Sequence, residues 1–126
     1  MILSVESGKE INYVPHRTEY AKWLKKLQKF DNTAYDQIRK VLNNIADLNE
    51  VITSSWIPGH DWHGTVYQPL YYALENDDIS AAKFYGLILF EVILQRPETW
   101  GFGRYAKDGR PIKGMTYFRL PNWQVS

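Results

Sequence analysis

DISAAKFYGLILFEVILQ, residues 78–95, is the stretch whose reading decides the fold. From Ala81 to Leu94 nearly every position is apolar, and a helical projection leaves no polar stripe. A helix that is apolar all round is buried, either in a protein core or in a membrane. A bilayer span needs about 20 consecutive apolar residues. This run is shorter and holds Lys83 and Glu91, so it reads as a core helix. Asp77 and Asp78 stand where an N-cap and the helix dipole favour carboxylates. Pro97 stops the helix after Arg96, giving a central buried helix over residues 78–96. Glu91 has Phe84, Leu87, Ile88 and Leu94 as its neighbours on the helix surface. A buried carboxylate in such company must find a partner or stay protonated, because an unpaired buried charge is costly. The first expectation for Glu91 is a structural ion pair or a gap in the packing, and the sharper one is membership of a site.

Working outward, 126 residues suit one domain, 1–126, with a single core. The apolar fraction of 44% and charged fraction of 23% are those of a globular chain and argue against disorder. With no cysteine, disulfides, thiolate chemistry and Cys-ligated zinc are excluded. The opening MILSVESGKE lacks the basic and long apolar regions of a secretory signal, so a cytoplasmic location and no membrane partner are expected. The net charge of +1 hides a segregation. Residues 1–40 carry +3, residues 41–82 carry −6 with no Lys or Arg at all, and residues 83–126 carry +4. Such a pattern predicts internal neutralisation in the fold, or else a polar surface for a partner or for self-association.

On the N-terminal side, MILSVES-GK-EINYVP reads as two short strands around a turn at Gly8. A first helix follows over Thr18–Phe30, with Tyr20, Trp23, Leu24, Leu27 and Phe30 inward and Lys22, Lys25, Lys26 and Lys29 outward. Thr33 with Asp36 resembles a capping box for a second helix, from Ala34 to about Asn49. Its stripe of Ala34, Tyr35, Ile38, Val41, Leu42, Ile45 and Leu48 should pack on the central helix. VITSSWIPGHDWHGT, residues 51–65, is read as a loop, and a third helix is expected around Val66–Asn76 with Pro69 in its first turn. Beyond Pro97 the period changes to two. TWGFGRYA and IKGMTYFRL flank Lys107-Asp108-Gly109-Arg110, whose Asp-Gly pair signals a hairpin.

Two segments carry candidate chemistry. His60, Asp61 and His63 offer imidazole and carboxylate ligands of the kind zinc, iron or manganese take, with Glu91 or His16 to complete a set. No HExxH or EF-hand accompanies them, so no cofactor is expected, while the pattern admits a divalent metal and a small metal-dependent hydrolase. Ser54 and Ser55 lack a nucleophile elbow. Residues 101–106 match a dinucleotide fingerprint without the strand before it or the helix after it. Ser80-Ala-Ala-Lys83 matches S-x-x-K without its companion motifs. The second segment is the C-terminal hairpin, where Trp100, Phe102, Tyr105, Tyr117 and Phe118 alternate with Arg104, Lys107, Arg110, Lys113 and Arg119. Aromatics beside cations can stack bases and meet phosphates on a sheet surface, so single-stranded nucleic acid is one reading. The same residue types dominate protein interfaces.

These observations predict an α+β fold, mainly helical, with about four helices and a small antiparallel sheet made from the N- and C-terminal hairpins. They predict a non-enzymatic binding or regulatory module acting on a protein partner. Its surface would combine Trp56, His60, Asp61, Trp62 and His63 of the loop with Trp100, Arg104 and Tyr105 of the hairpin.

Overall fold

The computed structural model describes residues 2–4, 8–53, 65–103, 106–107, 110–111 and 116–119. The expected central helix is present as α4, Asp78–Gln95, and the other elements are arranged around it. Its start is set by the Asp77 carboxylate, which accepts from the amides of Ile79 (3.0 Å) and Ser80 (3.3 Å) and from the Ser80 hydroxyl (2.9 Å). Its end is set by Arg96, whose extended backbone is what the residue before a proline adopts. Phe84, Tyr85, Leu87, Ile88, Leu89, Phe90, Val92 and Ile93 are all buried. Three other helices and a sheet cover these residues, while Ile79, Ala82 and Lys83 stay exposed along the remaining strip of the helix. No described helix is long and apolar enough to cross a membrane.

Helix α1 (Arg17–Phe30) buries Tyr20, Trp23 and Leu27, with Tyr20 and Trp23 packing against Phe84 at ring separations of 5.9 and 5.8 Å. Phe30, expected inside, is exposed and packs instead on Tyr72 at the surface. Helix α2 (Ala34–Leu48) lies on α4 as anticipated. Its buried line is Ala34, Ile38, Leu42 and Ala46, repeating every four residues. At about 100° per residue that line carries Leu48 well off the buried face, and Leu48 is 84% exposed. The capping box does not form: Thr33 gives its amide (3.0 Å) and hydroxyl (2.7 Å) to Asp31, and its side chain caps nothing in α2. Helix α3 (Gln68–Ala73) is shorter than the expected span, because Pro69 holds its first turn and Glu75 and Asn76 both adopt left-handed backbone after it.

The sheet has the order β2-β1-β4-β7-β3, with β1 Ile2–Ser4, β2 Glu10–Ile11, β3 Val51–Thr53, β4 Trp100–Gly103 and β7 Thr116–Arg119. Gly8, at φ +69°, turns β1 into β2, as the sequence predicted. A second ribbon pairs β5 (Ala106–Lys107) with β6 (Arg110–Pro111), with Lys107 opposite Arg110, and the Asp-Gly pair expected to turn between them lies outside the described residues. Two expectations are corrected. The sheet is mixed rather than antiparallel, because the helical layer between β1 and β4 returns the chain so that those strands run parallel. A third contributor was also missed: β3, the start of the segment read as loop, pairs with β7 through Ile52 opposite Tyr117. A Cβ on Gly101 would stand 2.3 Å from the Phe118 ring lying across β4, so a side chain there requires that ring to move aside. Part of the charge segregation is internal: Arg96 joins Asp47 of α2 (2.5 Å) and Glu98 (2.8 Å) and also holds the Asn43 side chain.

Candidate functional site

The departures from apolar character within α4 are the natural place to look. Glu91, singled out by sequence, has the partner it needs. The Tyr35 hydroxyl donates to Glu91 Oε1, and Arg39 Nη1 donates to the same oxygen at 2.9 Å. Arg39 Nη2 donates to Gln95 Oε1 at 2.5 Å, and its guanidinium lies 5.4 Å from the centre of the Tyr35 ring. All four residues come from α2 and α4, so the network pins these helices together at a half-buried depth. The Tyr20 hydroxyl is buried next to Tyr35 and Glu91 without an aligned hydrogen bond of its own. Burial, then the neighbouring Glu91 carboxylate, pushes the Tyr20 and Tyr35 phenols upward. Both phenols therefore remain protonated at neutral pH, and Tyr35 stays a donor. A carboxylate matched by a guanidinium and a phenol is an ion pair that holds structure, the first of the two expectations for Glu91.

Glu91, Tyr20, Leu24, Leu94 and Gln95 also form the floor of an open groove of about 780 Å³. It is also lined by Asn12, Tyr13 and Val14 of the segment that leads from β2 into α1 and by Arg17 and Thr18 of the first turn of α1. Tyr13 is 60% exposed on the rim, and Arg17 and Asn12 are exposed beside it.

On the other flank of α1 lies a smaller pocket of about 280 Å³. Its floor is Leu87, Phe90, Phe102 and Tyr117, with Gly86 of α4 in its wall and His16, Glu19 and Lys83 at its mouth. The three aromatic residues form one cluster: Phe90 meets Phe102 edge-on at 5.2 Å, and Tyr117 lies 5.2 Å from Phe102 and 6.2 Å from Phe90. A Cβ built on Gly86 meets nothing within 4 Å, so its missing side chain is an open space and not a packing requirement. His16, the N-cap of α1, sits in left-handed backbone (φ 55°) and gives no side-chain cap to the helix. Sequence reasoning missed this pocket. Its signal was glycine in the interior of a long helix, where it costs up to about 1 kcal/mol relative to alanine.

Trp100, predicted as a surface residue, is a core residue with 0% exposure. Arg119 covers it at 5.1 Å and also donates to the Ala46 carbonyl of α2, while Tyr117 is buried beneath the helices. Trp56, His60, Asp61, Trp62, His63, Arg104 and Tyr105 lie outside the described residues. Among the described residues no group of three or more His, Cys, Asp or Glu could hold a metal ion. Comparison with protein-family models, with curated proteins and with solved structures finds no match to this chain.

Proposed function

We propose that this chain is a small non-enzymatic binding module that recognises a polypeptide segment of a partner protein in the groove between α1 and the C-terminal half of α4. The observation that carries this reading is the groove itself: about 780 Å³, open to solvent, and lined by both polar and apolar groups. Leu24 and Leu94 offer half-buried apolar contact, and Asn12, Thr18 and Gln95 offer groups that suit a peptide backbone. Exposed Tyr13 and Arg17 on the rim are of the residue types that dominate protein interfaces. Because Glu91 is already matched by Arg39, Arg17 is the charge left to select, and it selects for an acidic side chain. Of the residues that the nucleic-acid reading named, Trp100 is buried and Arg119 is held on α2, so these two are not placed to stack a base or meet a phosphate.

Selection from a displayed random-peptide library tests the proposal. The expected result is a consensus pairing an acidic with a bulky apolar residue, bound at least tenfold more weakly by Tyr13→Ala and Arg17→Ala proteins of unchanged circular dichroism. A library that yields no consensus, or peptides indifferent to both substitutions, would contradict it.

A further inference from the structure

The pocket across α1 from the groove has the makings of a separate site. We infer that it binds a small amphipathic anion: a flat aromatic body carrying one carboxylate or comparable acidic group. The body is specified by the floor. Phe90, Phe102 and Tyr117 present ring edges and faces at mutual distances of 5.2 to 6.2 Å, an arrangement into which a further ring fits by the same edge-to-face and offset contacts. The volume of about 280 Å³ accommodates one fused-ring system and lies near the lower end for small-ligand pockets.

The charge is specified by the mouth. Lys83 belongs to a helix that is otherwise apolar through its middle, and it makes no ion pair within 4 Å among the described residues, acting only at longer range on the Asp77 carboxylate. His16 and Glu19, from the start of α1, line the same mouth. Glu19 is the opposing charge, and as the acid of α1's first turn it answers the helix dipole. Gly86 is the second, independent observation. It stands in the interior of α4, nothing in the fold needs the space it leaves, and that space belongs to the pocket. An alanine would be the better helix residue. Glycine at this point keeps the pocket deep enough for a ring.

The probe is 2-naphthoate, titrated into isotopically labelled protein and followed by backbone amide NMR. Its neutral carboxamide and the naphthylmethylammonium cation serve as controls. The inference expects saturable shifts centred on Lys83–Phe90 and His16, with the carboxylate bound at least fivefold more tightly than the amide and the cation weakest. Lys83→Met should remove the preference for carboxylate over amide while leaving amide binding in place. Gly86→Leu, which fills the space, should weaken all three probes at least tenfold, and the milder Gly86→Ala should do so partially. Tyr13→Ala and Arg17→Ala, on the groove side, should leave naphthoate binding unchanged. Absence of saturable shifts at millimolar probe, equal affinity for acid and amine, or undiminished binding to a folded Gly86→Leu protein would each overturn the inference.

Discussion

The two flanks of α1 differ in how they treat a charge placed on the same apolar helix. On one side Glu91 is met by Tyr35 and Arg39, and the helix surface there is tied to α2 by a closed set of hydrogen bonds. On the other side Lys83 stands at the mouth of an aromatic pocket beside a glycine that packing does not require. A charge that the fold itself neutralises contributes to architecture. One left at the edge of an apolar hollow is available to a ligand. Position in the sequence does not separate the two cases, since both interrupt one apolar run; the partners supplied by other elements do.

The sharpest way to break the contrast is to remove the wall between the flanks. Phe84 is fully buried under Tyr20 and Trp23. Phe84→Ala should lower stability by about 3–5 kcal/mol, measured by urea unfolding. A loss below about 1 kcal/mol would mean that α1 is not seated on α4 as described.

The next effect belongs to the polar flank. Arg39→Ala strips a partner from a half-buried carboxylate and should cost about 1–2 kcal/mol. The double variant with Glu91→Gln should cost less than the two single losses added, because the second change removes the charge the first left unpaired. Strict additivity would deny the coupling. Lys83→Met is the matching change on the apolar flank, and it should alter stability by no more than about 0.5 kcal/mol in either direction. A loss as large as that of Arg39→Ala would show Lys83 to be structural too, erasing the difference between the flanks.

The smallest effect concerns the start of α4. The hydroxyl and amide of Ser80, aided by the Ile79 amide, hold the Asp77 carboxylate below its ordinary range. A carboxyl with a lower pKa in the folded than in the unfolded chain stabilises above the unfolded value and loses that contribution as pH falls through the folded one. The melting temperature should therefore decline as the pH falls through and below the ordinary carboxylate value of about 4. That decline should be shallower in Asp77→Asn, which can still cap but does not titrate. Equal slopes would mean that the cap carries no charge-dependent stabilisation.

Much of this architecture was legible in the sequence, because it rests on local signals. The apolar run, Asp77 and Pro97 bound α4 where it is found, and the three-and-four spacing of Tyr20, Trp23 and Leu27 locates the buried face of α1. What was illegible is long-range. Val51–Thr53 carries no period of its own that separates strand from loop, and it becomes a strand because β7 is there to pair with it. Parallel pairing of β1 with β4 depends on the path of the intervening helices. The need of Glu91 for a partner was predictable from burial cost, whereas the identity of Arg39, 52 positions away, was not. Trp100 misled because alternating aromatics and cations look alike whether the aromatic face meets solvent or a helical layer. The Gly86 pocket was missed because residues from four separated segments build it, and only the glycine's helix penalty marks it in one dimension.

The most direct test of the account is the thermal melt of Gly86→Ala. If the space at Gly86 is open, the added methyl meets no atom, the helix gains propensity, and the melting temperature should rise by about 2–6 °C. A fall would mean that neighbouring atoms already occupy that space, and with it would go both the pocket and the contrast between the two flanks.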